Sequence, residues 1–150
     1  VAESLNENLT AYLREHRLIA ELVTAPGVWV IGAPHSQALP YIVYQRNDGK
    51  PAAHLGGVSD AVQANVSFSC YADAPEGAAD LADALVLALA GFRGFMDDIH
   101  VRGCFLQTES QNYIAPTDGS DQGVFVEGRD FLIWFLRTAP TSVDQPMRIA

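Results

Sequence analysis

VQANVSFSCYAD, residues 62–73, decides how the rest of the chain folds. Val62, Ala64, Val66, Phe68 and Cys70 share one parity, and Gln63, Asn65, Ser67, Ser69 and Tyr71 share the other. That period of two is the pattern of a strand with one dry and one wet face, so one side of the sheet meets water or a wet interface and not a second core. An apolar layer must cover the other side, and the following segment supplies it. ADLADALVLALAGFRG, residues 79–94, continues a helical pattern from about residue 75 to 90, with Ala78, Leu81, Ala82, Leu85, Ala88, Leu89 and then Phe92 as its buried stripe. Asp73 and Glu76 have capping spacing ahead of this helix, and Gly91 is placed to stop it. The alanines on the stripe allow a close approach to the sheet.

Further elements lie on either side. Residues 4–23 carry Leu5, Leu9, Tyr12, Leu13, Ile19 and Leu22 close to one helical face, Ser4 and Glu7 have capping-box spacing, and Pro26-Gly27 ends the segment. Val28 to Ile31 predicts a brief strand, and LPYIVYQR at 39–46 predicts a second from Tyr41 to Gln45, rich in β-branched and aromatic residues. Asn47 to Asp60 holds three glycines and one proline and separates two strand patterns by more than a tight hairpin needs, so it reads as an extended loop or a long hairpin arm. Ile99 to Thr108 and Val124 to Arg137 supply two more strands. The second contains DFLIWFLR at 130–137, apolar on both parities from Phe131 to Leu136 and therefore expected at the sheet centre. Asn112 to Gly123 between them is polar and turn-rich. The order α-β-β-β-α-β-β argues for an α+β domain over residues 1–138, with an antiparallel or mixed sheet, a helix packed on one face and an N-terminal amphipathic helix. Residues 139–150 read as a tail whose order is left open.

Composition bounds the function. Eighteen acidic residues against nine scattered basic ones give a formal charge of -9, without the basic stripe that phosphate neutralisation requires. The longest apolar stretches, near 81–92 and 131–136, fall short of the roughly 20 residues of a membrane span. Glu3, Asn6, Glu7 and Asn8 interrupt any signal-peptide core. Cys70 and Cys104 both sit in strand patterns and read as reduced core thiols, since a disulfide needs their strands to be neighbours.

Catalytic patterns do not assemble. His16, His35, His54 and His100 show no zinc-site spacing and read as solvent or core histidines. The glycines form no phosphate loop, and no serine lies in a nucleophile elbow. Asp80 with Asp83 reads as a solvated helix face, and Asp97 with Asp98 as a turn. Trp29, Tyr41, Tyr44, Phe68, Tyr71 and Trp134 lack the interleaved basic residues of a base-stacking platform. Neither a cofactor nor a metal is implied.

The series LPYIVYQR, VSFSCYAD, ADLADALVLALAGFRG and DFLIWFLR resembles the tail terminator family of long-tailed phages and gene transfer agents, also called tail completion or tail-to-head joining proteins. The likeness covers about residues 28–138. It implies an α+β subunit of a hexameric ring that caps the tail tube and ends its polymerisation. The implied partners are further copies of the chain, the major tail tube protein and the stopper or adaptor of the head connector, with DNA passing through the lumen unbound. It also implies a non-enzymatic virion protein of the neck, made and assembled in the host cytoplasm. The family's functional surfaces are loops, so two regions carry over: the arm from Arg46 to Asp60, with Asp48, Lys50 and His54, and the loop beginning Asn112-Tyr113. Charge and loop placement suggest lumen-facing carboxylates among Asp48, Asp60, Glu109, Asp118 and Asp121. Two other readings stand beside this one: a head-connector stopper or adaptor ring, and a small cytosolic binding protein or hydrolase using His54, Asp60 and His100.

Overall fold

The computed structural model describes residues 5–54, 57–96, 99–116 and 123–136, with backbone alone at 48–54 and 57–61. Helices α1 (Leu5–Glu15) and α2 (Arg17–Leu22) precede strands β1 (Val28–Val30), β2 (Tyr41–His54) and β3 (Gly57–Ala72). Helix α3 (Pro75–Leu89) then leads to β4 (Gly94–Met96), β5 (Ile99–Ile114) and β6 (Val124–Leu136). One six-stranded sheet has the order β1-β2-β3-β6-β5-β4. β1 runs parallel to β2 and every other pairing is antiparallel, so the sheet is mixed.

The alternation in β3 is realised as read: Val62, Ala64, Val66, Phe68 and Cys70 are all buried. They meet α3, whose Ala78, Leu81, Ala82, Leu85, Ala88 and Leu89 are buried together with Ala84. β6 lies between β3 and β5, and Phe131, Ile133 and Phe135 complete the core, with Phe131 edge-on to Phe68 at 5.7 Å between ring centroids. On its other parity Leu132, Trp134 and Leu136 remain half-buried, because no second layer covers that face among the described residues. Gly91 stops α3 with φ +78°, a left-handed conformation that favours glycine, and its N–H donates to the Cys104 carbonyl at 2.9 Å.

Several boundaries differ from the sequence reading. The helix expected over 4–23 breaks at His16, whose ψ of 125° is extended. Leu5, Leu9 and Leu13 recur at four-residue steps, and at 100° per residue Ile19 would lie within about 40° of Leu5 on an unbroken helix. All four side chains are buried across the break. Ser4 lies outside the described residues. α3 starts one residue later than Asp73 would cap: Ala74 is the N-cap, without a side-chain bond, and Pro75 follows with its preset φ. Asn47 to Asp60 takes the hairpin-arm form, since β2 and β3 stay paired as far as His54 and Gly57, with register shifts between Arg46 and Asp48 and between Pro51 and Ala53. Pro51 borders the second shift, where a strand tolerates a missing N–H. β5 extends past Thr108 to Ile114, so Asn112 and Tyr113 are strand residues paired with Val126 and Phe125. The short β4 has no counterpart in the sequence reading.

Truncating the α3 face at its centre, Leu85→Ala, is expected to cost about 2–5 kcal/mol of subunit stability. Urea unfolding followed by circular dichroism measures it, and a loss below about 1 kcal/mol would mean that α3 is not the main cover of the sheet.

Candidate interaction surfaces

The two regions singled out from sequence lie at opposite corners of the sheet. The β2–β3 arm runs past the last described residue of β6, because Ala61 pairs with Leu136 while the arm continues to the His54 and Gly57 pair. Asn112 and Tyr113 lie at the other end, level with Tyr71 and Ala72 through Val126 and Phe125. β2 and β5 also flank opposite sides of the β3–β6 pair.

The side chains divide accordingly. Arg46 is half-buried on the core side of β2, its guanidinium 5.6 Å from the centre of the Phe135 ring, so part of its binding capacity serves its own subunit. Asp48, Lys50, His54 and Asp60 are placed in the arm by backbone, and their side chains lie outside the description. Asp118 and Asp121 lie wholly outside it, as do Asp97 and Asp98. Asn112 is exposed and its Oδ1 accepts the Tyr113 N–H at 2.9 Å. Tyr113 is 49% exposed and leans on Phe125 at 4.8 Å between ring centroids, with Ile114 beside it at 47%. Glu109 is exposed on β5, with Oε2 3.8 Å from Arg129 Nε. The five proposed lumen carboxylates are therefore not one cluster by strand placement: Asp48 and Asp60 ride on the arm, while Glu109 is on the other edge.

A buried polar cluster escaped the sequence reading. Glu127 and Arg129, each 7% exposed, continue the core parity of Phe131, Ile133 and Phe135. Arg129 Nη1 donates to Glu127 Oε1 at 2.9 Å and to the Gly128 carbonyl at 2.8 Å. Gln111 Nε2 donates to the other Glu127 oxygen at 2.9 Å. Two opposite charges two residues apart on a core parity were the available signal, because buried charge persists when paired. The cluster borders a cleft of about 450 Å³ with Glu109 and Ser110.

Burial also sets the titration of the core. It pushes the Cys70 and Cys104 thiols up to about 12 each, and the two lie on β3 and β5 with β6 between, as free cysteines. Tyr44 is likewise pushed up to about 12 by burial, partly offset by its bond with Thr10, and its hydroxyl donates to the Asn6 carbonyl at 2.7 Å, tying α1 to β2. Tyr44 and Phe68 are core rings, whereas Tyr41 and Tyr71 stack at 4.9 Å on the open face. Asp80 and Asp83 are exposed on α3, as a solvated face should be. Among the described residues no three His, Cys, Asp or Glu side chains come together to hold a metal, and no helix is long and apolar enough to cross a membrane.

A family model described as tail completion protein gp17 matches residues 7–115. The fold is similar to a chain of a solved structure described as the virion of a native gene transfer agent particle. That match has a TM-score of 0.62 at 19% identity and covers 90% of this chain and 97% of the other. Comparison with curated proteins gives no match.

Two outcomes follow from the buried groups. Arg129→Met strands the Glu127 carboxylate and is expected to cost about 3–5 kcal/mol, with much of that recovered when Glu127→Leu is added; denaturant unfolding of the single and double variants checks this. Cys70, Cys104 and Tyr44 hold their protons more tightly folded than unfolded. Their contribution is complete below about pH 9, the ordinary thiol value, and is lost as pH rises towards about 12. Thiol labelling at pH 8 should accordingly require unfolding; rapid labelling of the native chain would contradict the burial of both cysteines.

Proposed function

The chain belongs to the tail completion protein gp17 family, a family of structural phage tail proteins, and from that premise we propose that it closes the head-proximal end of the tail tube as a homo-hexameric ring. The ring ends polymerisation of the tube and offers its far side to the stopper or adaptor of the head connector. Its place is the virion neck, and no catalysis is assigned to it.

The observation that carries this reading is the family match over residues 7–115, which runs from within α1 to the end of β5. Geometry supports it: a ring needs a head-to-tail interface made of two different surfaces on each subunit, and the arm and the outer end of β5 occupy opposite corners of the sheet. The fold likeness to a chain of a gene transfer agent virion supports a role inside an assembled particle. Charge supports passage of DNA: a chain of formal charge -9 repels phosphate, and some of Asp48, Asp60, Glu109, Asp118 and Asp121 facing the lumen would keep a duplex from sticking. Arg46, Asp48, Lys50, His54 and Asp60 on the arm, with Asn112 and Tyr113 on β5, are the proposed contacts to neighbouring subunits or to the tube.

Light scattering of the purified chain with and without tail tubes tests the reading. A species near six times the 16.2 kDa of the chain, alone or on tube ends, is expected; a monomer that ignores tubes would overturn it. Deleting the arm tip should leave tails of irregular length or tails that fail to join heads, and normal joined tails would remove the arm from the interface.

A further inference from the structure

The sheet closes some of its edges and leaves others open. At β1 the outer edge is blocked: Arg14 donates to the Val28 carbonyl at 2.6 and 3.0 Å, and the Gly32 N–H takes the Val30 carbonyl at 2.8 Å. On the other side β4 pairs with β5 only at Ile99 to Val101, and Gly91 then caps Cys104. From Phe105 to Ile114 no described strand pairs with the outer side of β5. The Tyr113 N–H turns to the neighbouring Asn112 side chain, so by strand alternation the main chain of Glu109, Gln111 and Tyr113 faces away from β6. Phe105, Tyr113 and Ile114 are 50%, 49% and 47% exposed along this stretch. Proteins ordinarily blunt a long open edge, because it templates pairing with another chain.

The second open edge is on β2. β1 pairs with Ile42 to Tyr44, and Ile31 N–H takes the Tyr44 carbonyl at 2.7 Å; beyond that, among the described residues, no strand covers the outer side of β2 up to His54. The pairings make β2 antiparallel to β3, β3 to β6 and β6 to β5, so β2 and β5 run in opposite senses. A sheet continued from β5 of one subunit into β2 of the next would be antiparallel at the join.

We propose that the outer edge of β5, from Phe105 to Ile114, adds to the outer edge of β2, from Gln45 to His54, of a second copy of this chain, so that the subunit interface is a shared sheet. The proposal rests on the ring reading and specifies its contact. Each chain carries one edge of each kind, as head-to-tail closure requires. Main-chain bonds supply the joint, so it depends little on side-chain identity. The two open segments lie toward opposite ends of the sheet, so pairing them offsets one subunit along the strands. A closed ring absorbs that offset by inclining the strands, as a barrel absorbs its shear.

Hydrogen–deuterium exchange on the wild-type chain, dilute and assembled, tests this. On assembly, amide exchange in peptides covering 105–114 and 45–54 should slow together by at least tenfold. Assembled rings in which both peptides exchange as fast as in the dilute chain would overturn the shared sheet while leaving the ring intact. Slowing of 105–114 alone would also overturn it, since the occupant would then be a second β5 or the tube protein. A wild-type chain that never assembles, alone or on tubes, would sink the ring reading and this inference with it. Glu109→Pro removes one outward N–H at an exposed position, and a variant with the wild-type circular dichroism spectrum should assemble at least tenfold more weakly. If that variant fails to fold, the exchange experiment decides.

Discussion

Among the described residues, strand β6 is hydrogen-bonded to a neighbour on both sides but covered on one face only, and the rest of the structure follows from that imbalance. Its inward residues Phe131, Ile133 and Phe135 belong to the core cluster that α3 closes through Leu81, Leu85 and Leu89. Its outward residues Leu132, Trp134 and Leu136 stay half-buried. The helices all serve the dry face: α1 contributes Leu5, Leu9 and Leu13, and α2 contributes Ile19. What remains is a sheet with a wet face and two strands that outrun their neighbours, a shape suited to being one part of a larger object.

Charge is handled in two separate ways. Inside, Glu127 and Arg129 neutralise each other, with Gln111 bonding the second carboxylate oxygen, so the charges at the polar end of the core are paired within the chain. Outside, the acidic excess has no basic face to balance it, which disfavours phosphate binding while leaving main-chain pairing and apolar contact as routes to association.

The legible parts of the sequence were those where one rule governed many consecutive residues. Val62 to Cys70 obeyed the strand period throughout, the α3 stripe obeyed the helical one, and both-parity apolarity placed β6 at the centre. Breaks were harder: Ile19 fits the face of an unbroken helix, so the apolar spacing carried no sign of the extended residue at His16. β4 is three residues long, too short for periodicity to register. The polar residues from Glu109 to Asn112, beyond the strand read as ending at Thr108, are strand too, because pairing with β6 and not burial holds them. Glu127 and Arg129 lay within the strand expected from Val124 to Arg137 without being singled out, though their parity is that of the core. As for the candidate surfaces, their position along the chain was readable, but their diagonal separation was not, since it depends on how β5 is registered against β6 and β6 against β3.

Electron microscopy of tail tubes incubated with the purified chain tests the central claim most directly, by averaging end views of the tubes. The account predicts a single six-fold ring seated on one end, with the strands inclined around an open, negatively charged lumen. Tube ends left bare, or density without rotational symmetry, would contradict it.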